Sequence, residues 1–391
     1  MKMKSYINLL SLFCGQALSG SVISLLTLTS TLVGKVLAPK DFLVSLPITM
    51  TVLGSAITVY FASFLMAKYG RRTAFIVSGF IGIVGVLLAI YAIYHAQFYL
   101  FSLATFILGG ATVFNQYYRF AAAEVFNEEV NKKRATSLII SAGIIGGVLG
   151  PFLAEKGANL LAVKYVGIFW LCLAVFVLLI ISQLFLSIKN TQTLCAQNQP
   201  VPKDIFLQKE FKIGTACCAL SFAMMVLLMN ATPLAMHHQH FQLEQISPVL
   251  QWHFVAMYSP ALLLPFVVKK IPNQYIIGLG CLLFIIGGLC SLFFQQHWAY
   301  LAALIFIGAG WGLMFSGGTF LLNQLSPQHK HKLQGTSSLI TYLANLTASF
   351  SVGLLMATPY GWQMANLSAV ILMSIFSLWF FHQFKRVKTK P

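Results

Sequence analysis

Glu155 is the acidic residue whose position best suits chemistry. The chain holds eight Asp and Glu residues among 391, and Glu155 alone lies inside a long apolar stretch. A carboxylate among apolar side chains is costly and tends to be functional, commonly as a proton carrier. The adjacent Lys156 offers a structural alternative, an ion pair whose charged ends reach toward water. We therefore predict that Glu155 couples to protons, with the ion pair as the alternative.

A second set of residues has the chemistry to bind a solute. Five small or polar residues recur at intervals that place them on one face of a helix: Thr105, Gly109, Thr112, Gln116 and Arg119. Asn115 flanks this stripe. The guanidinium of Arg119 could hold a carboxylate or phosphate through two nitrogens. Alternatively, Arg119 pairs with Glu124 or with lipid headgroups.

Other apolar stretches contribute amide, hydroxyl and aromatic groups. Besides Thr112, Asn115, Gln116 and Arg119, the predicted substrate pathway contains Gln16, Ser24, Thr27, Asn230, Trp311, Ser316, Thr341 and Asn345. Gln16, Ser24 and Thr27 belong to one stripe that also includes Gly20 and Thr31. A pathway of this kind suits a neutral or anionic, moderately amphipathic solute. Individual hydroxyls could instead bond to carbonyls of their own helices.

The elements that position these residues are membrane-spanning helices. The chain is 58% hydrophobic and 8% charged, with a mean hydropathy of +0.81, whereas soluble domains carry about 25% charged residues. This composition excludes a soluble enzyme. Twelve apolar runs of a length that suits helical spans begin near residues 6, 42, 73, 97, 135, 164, 211, 247, 274, 299, 335 and 361.

The basic residues predict how these spans are oriented. If the N-terminus is cytoplasmic, twenty of the 25 Lys and Arg residues fall on the cytoplasmic side, and only Lys35, Lys40, Lys156 and Lys164 fall in loops on the other side. Such an excess marks the cytoplasmic loops of membrane proteins. Both termini are therefore predicted to be cytoplasmic, and the net charge of +17 indicates topology, so no nucleic-acid partner is expected.

The two halves of the chain repeat each other. A shift of 201 residues superposes Lys68 on Lys269, Gly109 on Gly310 and Phe114 on Phe315. One offset that holds from the second span to the eleventh predicts two parallel six-helix bundles, as in secondary transporters. We predict an N-terminal bundle over residues 1–187, a cytoplasmic linker over 188–210 and a C-terminal bundle over 211–391.

Two local motifs point to a known family. The loop after the second span reads SFLMAKYGRR over residues 63–72, and the fifth span contains GGVLGPFLAE over residues 146–155. The first is similar to the G-x-x-x-D-R-x-G-R-R loop of the major facilitator superfamily, with Ser63 and Ala67 replacing its glycine and acid. The second resembles the G-x-x-x-G-P-x-x-G-G motif of that superfamily's proton antiporters.

The resemblance covers essentially the whole chain and implies roles for named residues. It assigns gating to Lys68, Gly70, Arg71, Arg72, Glu124, Gly146, Gly150 and Pro151. Arg71 or Arg72 is expected to contact Glu124 or a neighbouring acid, although the missing acid at Ala67 departs from the family's gate. The fifth-span motif implies exchange of substrate against protons. The structural alternatives are ordinary positive-inside residues in the loop and plain glycine packing between helices.

These observations predict an all-α integral membrane protein with twelve transmembrane helices in two pseudo-symmetric six-helix bundles, the major facilitator fold. The predicted function is secondary active transport of a small neutral or anionic organic solute by alternating access, as proton-coupled efflux. Alternatives are an importer or uniporter of a metabolite or siderophore, or a membrane-embedded transferase.

We expect no enzymatic activity, because no catalytic motif occurs. The expected partners are a small-molecule substrate, the lipid bilayer and protons, and a monomer is expected in the bacterial inner membrane. No cofactor and no metal are expected. His237, His238 and His240 cluster in one turn without metal-ligand spacing, and their role is left open.

Overall fold

The computed structural model describes residues 2–126, 128–188, 206, 208–267, 271–323 and 330–388, and these residues form helices and their connections. The first six α-helices are α1 (Lys2–Leu37), α2 (Leu46–Tyr94), α3 (Phe98–Thr112), α4 (Tyr118–Glu124), α5 (Glu129–Gly157) and α6 (Val166–Leu184). The other six are α7 (Lys209–His238), α8 (Leu243–Val267), α9 (Asn273–Phe293), α10 (His297–Asn323), α11 (Lys330–Met356) and α12 (Gly361–Lys388). Short 3-10 helices cover Asp41–Leu43 and Val113–Tyr117. The all-helical prediction is confirmed.

Two predicted spans lie in α2, which is 49 residues long. Gly70 separates them with φ 83° and ψ 165°, a combination essentially restricted to glycine. The fourth predicted span consists of α3, the 3-10 segment Val113–Tyr117 and α4. The glycine of the Gly-Arg-Arg sequence is therefore the point at which the chain turns from one span to the next.

Eleven stretches of the described residues are long and apolar enough to cross a membrane. The remaining predicted span, the eighth along the chain, corresponds to α8, which has 25 residues and carries Glu244, Gln251 and His253 in its first half. Two helices begin earlier than predicted, α5 at Glu129 and α11 at Lys330. In both cases the helix begins within a basic segment whose composition resembles that of a loop.

The described chain forms two compact units. Unit 1 contains Met1–Asn198 and His240–Val255, and unit 2 contains Gln199–Gln239 and Ala256–Pro391. In unit 1, α1 packs against α5 and α6, and α2 packs against α3 and α6. In unit 2, α7 packs against α10 and α11, while α9 packs against α10 and α12. The predicted bundle boundaries at 187 and 211 remain predictions.

Each unit buries apolar side chains in an interior and exposes others on its surface. In unit 1, a buried cluster includes Phe75 and Tyr118, whose rings stack at 4.1 Å. Trp170 in unit 1 and Leu378 in unit 2 are among many large exposed apolar side chains. Exposed apolar surface on this scale is unfavourable in water and suits contact with lipid.

Candidate solute-binding sites

Gln16 of α1 and Asn115 of the 3-10 segment form a pair of buried amides in unit 1. Gln16 Nε2 donates to Asn115 Oδ1 over 3.1 Å, and Asn115 Nδ2 donates to the backbone carbonyl of Gln16 over 3.2 Å. Both residues are 8% exposed. Gln16 Oε1 is buried and accepts no hydrogen bond from any residue that the structure describes. Two predicted pathway residues are therefore in direct contact, and one of their oxygens can still accept a hydrogen bond.

The rest of the α1 stripe packs against α5. Ser24 Oγ donates to the carbonyl of Gly146 over 2.8 Å. A Cβ atom built on Gly150 would lie 2.0 Å from Ser24 Oγ and 2.3 Å from the carbonyl oxygen of Ser21. Pro151, the next residue of α5, is also buried. The glycines thus let two helices approach closely, and the pathway role of Ser24 and the gating role of the Gly-Pro motif stay predictions.

The first half of the polar face predicted on the fourth span packs against α2, and a role of this face in the pathway stays a prediction. Thr105 Oγ1 donates to the carbonyl of Pro47 over 2.7 Å, and Ser55 Oγ donates to the carbonyl of Gly109 over 2.8 Å. Thr105 and Gly109 therefore face α2. The 3-10 segment Val113–Tyr117 then changes the angle between successive side chains, so the interval pattern does not continue as a single helical face.

The other predicted pathway residues of unit 1 have different environments. Thr112 Oγ1 donates to the carbonyl of Gly109 over 3.1 Å, and Thr27 Oγ1 donates to the carbonyl of Ile23 over 3.0 Å. Both hydroxyls therefore bond within their own helices, the alternative role for small hydroxyls. Gln116 is exposed and Arg119 is half-buried. Their pathway roles stay predictions.

Arg71 and Glu124 form the contact predicted from the loop motif. Arg71 Nη2 lies 2.6 Å from Glu124 Oε1, and Arg71 Nε lies 3.2 Å from Oε2, a two-point pair. Arg71 Nη1 also lies 3.0 Å from Met66 Sδ. Lys68 and Arg72 are exposed, and the Lys68 ammonium lies over aromatic rings beside it. The predicted contact is confirmed for Arg71, and the role of these residues in gating stays a prediction.

Glu155 forms the ion pair that was its structural alternative. Its Oε1 lies 3.1 Å from Lys156 Nζ, and the side chains are 16% and 61% exposed, respectively. Both residues lie in the last turn of α5, which ends at Gly157. The pair is therefore arranged as expected for charges at the end of a span. Proton coupling through Glu155 stays a prediction.

Three half-buried aromatic rings meet in unit 2. Trp311 and Phe315 of α10 stack with their centroids 5.1 Å apart and their planes 19° apart. Phe222 of α7 meets Trp311 edge-on at 5.5 Å and Phe315 at 5.9 Å. Trp311 Nε1 is buried and donates no hydrogen bond to the part of the chain that the structure describes. We call Phe222, Trp311 and Phe315 the aromatic cluster.

Buried amides occur on the helices that carry or adjoin this cluster. Asn230 of α7 is 1% exposed and Asn345 of α11 is 5% exposed. The Oδ1 atoms of both residues are buried and accept no hydrogen bond from the described residues. Thr341 bonds to the carbonyl of Ser337 over 2.8 Å in its own helix, and Ser316 is half-buried. Unit 2 therefore holds amide oxygens and an indole N–H that a solute could satisfy.

Histidine and cysteine form no candidate metal centre in the described part of the chain, because no three His, Cys, Asp or Glu side chains there are arranged to hold an ion. His237, His238 and His240 are exposed at the end of α7 and just after it, whereas His253 of α8 is fully buried.

The sequence profile of the Major Facilitator Superfamily matches residues 12–332. The chain belongs to this superfamily. That membership makes it a multi-pass membrane transporter of small solutes, with the lipid bilayer as its surroundings.

Two bacterial relatives illustrate this membership. The chain is 28% identical over 365 residues to the riboflavin transporter RfnT of Brucella anthropi, covering 92% of this chain and 91% of the relative. It is 27% identical over 356 residues to YdeG, an MFS-type transporter of Bacillus subtilis, covering 83% and 80% of the two chains. Both relatives are transporters.

Crystal structures support the same fold. A point mutant of the nucleoside transporter NupG superposes with a TM-score of 0.76 at 15% identity, covering 97% of this chain and all of the NupG chain. A second NupG structure gives a TM-score of 0.70 at 15% identity. The predicted major facilitator fold is thereby confirmed. At this identity the likeness concerns the fold alone.

Phe222, the third member of the aromatic cluster, was not predicted from the sequence. Phe222 is one of 33 phenylalanines, and an apolar residue in a membrane helix gives no signal of its own. The repeat between the two halves did not identify Phe222 either, because Phe222 is not among the residues that match at the offset of 201. Only its 5.5 Å contact with Trp311 singles it out.

Proposed function

We propose that this transporter moves a neutral, planar heteroaromatic solute of the flavin type by alternating access. The observation that carries the proposal is the aromatic cluster of unit 2, with the buried Trp311 Nε1 and the amide oxygens of Asn230 and Asn345 on the same set of packed helices. Aromatic side chains stack on planar rings, and a few well-placed polar groups fix orientation in a ligand site.

Charge supports a neutral solute. The α10 sequence contains no Asp, Glu, Lys or Arg, and the charged residues of α7 and α11 lie in their first turn. A solute beside the aromatic cluster would therefore find hydrogen-bonding groups and π-faces but no counter-ion. An unpaired carboxylate or phosphate would lose its hydration there without compensation.

The relative named as a riboflavin transporter supports the same class of solute. Riboflavin has an uncharged tricyclic ring with carbonyl acceptors and an imide N–H, and its ribityl chain carries hydroxyl groups. The ring suits stacking on Trp311, and its donors and acceptors suit amides and an indole N–H. This chain shares 28% identity with that relative over nearly its whole length.

Uptake of labelled riboflavin by cells that lack their own riboflavin transport tests this function. Cells expressing the chain should accumulate the label above vector controls if the chain imports, and everted vesicles from these cells should do so if it exports. Trp311→Ala should reduce the initial rate at least about fivefold, since base–aromatic stacking is worth about 1–3 kcal/mol. The matched control is Trp298→Ala on the same helix, because Trp298 is half exposed on the unit surface. Equal rates for the two variants, or label movement no greater than in vector controls both in cells and in everted vesicles, would overturn the proposal.

Energy coupling is a separate proposal. Proton-coupled efflux, with Glu155 as carrier, is supported by the Gly-Pro motif of α5 and by the low exposure of the carboxylate. Import or uniport of a metabolite is the alternative, because the Glu155–Lys156 pair at the end of α5 also has a purely structural explanation. Glu155→Gln should abolish proton-driven accumulation and spare counterflow if Glu155 is the carrier. Unchanged accumulation would contradict the role of Glu155.

A further inference from the structure

The amide pair of unit 1 fixes which atom Gln16 can offer to a solute. The backbone carbonyl of Gln16 can only accept, so the Asn115 atom 3.2 Å away must be Nδ2. Asn115 Oδ1 then faces the Gln16 side chain, and the Gln16 atom 3.1 Å away must be Nε2. Reversing either amide would bring two acceptors together. The two contacts therefore hold Gln16 with Oε1 pointing away from Asn115.

This oxygen is a buried acceptor in an apolar span. Gln16 is 8% exposed, and Oε1 accepts no hydrogen bond from the residues that the structure describes. Leaving a buried acceptor without a donor is about as unfavourable as losing a hydrogen bond. Gln16 cannot turn its amide to present an N–H instead, because that would replace the 3.1 Å hydrogen bond to Asn115 with two oxygens facing each other. The position therefore favours a group that donates and disfavours an anion.

The depth of Gln16 also suits a solute site. It lies roughly 21 Å along α1 from Lys2 at 1.5 Å per residue, near the middle of a helix that ends at Leu37. Transporters of this architecture hold their substrates near the middle of the bilayer.

We infer that Gln16 Oε1 is a specificity-determining acceptor that takes an N–H group of a neutral heteroaromatic solute. Asn115 is the positioning residue that holds the acceptor in place. This inference rests on the proposed function, and for a flavin the donor is the imide N–H at N3. A solute with carboxylate or phosphate oxygens in place of that N–H is rejected, because acceptor would meet acceptor.

Binding of riboflavin and of N3-methylriboflavin to the purified full-length chain tests the inference, measured by quenching of flavin fluorescence. Methylation removes the N3 proton and keeps the ring. The unaltered chain should bind N3-methylriboflavin at least about tenfold more weakly than riboflavin, because the analogue leaves a buried acceptor unpaired. A ratio near one would overturn the inference without any variant.

Variants then assign the discrimination to Gln16. Gln16→Met has a similar shape and no amide oxygen, so it should bind both flavins alike. The control is Asn366→Leu in α12, which removes a buried amide whose Oδ1 is likewise not hydrogen-bonded to the described residues and whose Nδ2 donates to the Trp362 carbonyl. Its ratio should match that of the unaltered chain.

The outcomes separate the two proposals. If riboflavin binds with a ratio near one, or if Gln16→Met keeps the full discrimination, the role of Gln16 is wrong and the proposed function stands. If the unaltered chain binds neither flavin, the proposed function is wrong and the role of Gln16 toward a flavin falls with it.

Discussion

Replacing Gly150 by alanine should separate α1 from α5. A Cβ atom at this position would lie 2.0 Å from Ser24 Oγ, 2.3 Å from the Ser21 carbonyl oxygen and 2.6 Å from the Leu25 backbone nitrogen. Two of these three atoms belong to the backbone of α1, so rotating one side chain cannot relieve the overlap. The helices themselves must move apart.

The magnitude follows from three contributions. Overpacking a well-packed interior costs about 1–3 kcal/mol. The shift also breaks the 2.8 Å hydrogen bond from Ser24 to Gly146, which is worth about 0.5–1.5 kcal/mol. Alanine recovers about 0.5–1 kcal/mol through its lower conformational entropy in the unfolded chain. Together these contributions predict that Gly150→Ala destabilises the protein by about 0.5–4 kcal/mol.

Gly20 of α1 provides a matched control at the same helix pair. A Cβ atom there would lie 3.6 Å from Gly146 Cα and 3.9 Å from Asn115 Nδ2, both ordinary van der Waals contacts. Gly20→Ala should therefore be neutral or stabilising by up to about 1 kcal/mol.

Thermal unfolding of the detergent-solubilised chain, followed by tryptophan fluorescence, measures the difference. We expect a lower Tm for Gly150→Ala than for the unaltered chain, and an equal or higher Tm for Gly20→Ala. The same Tm for both variants would refute the inferred close approach of α1 and α5 at Gly150.

Three further predictions follow from the loop and the topology. Arg71→Glu and Glu124→Arg should each lower the rate of transport, and the double variant should recover it if the two-point pair is what matters; no recovery would leave the pair without a role in gating. Gly70→Ala should lower the Tm, because φ 83° with ψ 165° strains any residue with a Cβ by about 1–3 kcal/mol; an unchanged Tm would contradict this. Reporter fusions at residues 200 and 390 should both report cytoplasm, and a signal from the opposite side at either would overturn the predicted topology.

The overall architecture was predictable because it depends on properties that a sequence displays directly. Long apolar runs and the polar breaks between them indicate helices whatever the helices pack against. The glycine of the Gly-Arg-Arg sequence likewise indicates a turn at Gly70. The contact of Arg71 with Glu124 was also predictable, since few acids lie near that basic loop. These features need no knowledge of which helix packs on which.

The environments of the polar stripes were less predictable, because helical periodicity identifies a face and not its neighbour. Thr105 and Ser24 lie on polar faces, yet their hydroxyls bond to carbonyls of α2 and α5, respectively. The 3-10 segment Val113–Tyr117 further breaks the register on which the fourth-span stripe depended. Gln16 and Asn115 are 99 positions apart in the chain. No local sequence pattern therefore predicts that their side chains are in contact.

Riboflavin counterflow is the most direct test of the transport of a flavin-type solute. Proteoliposomes containing the purified chain are loaded with unlabelled riboflavin and diluted into a trace of labelled riboflavin, without any proton gradient. We predict a transient accumulation of label that protein-free liposomes do not show and that excess unlabelled riboflavin outside abolishes. No accumulation by a chain that is folded, as judged by its cooperative thermal unfolding, would contradict the account.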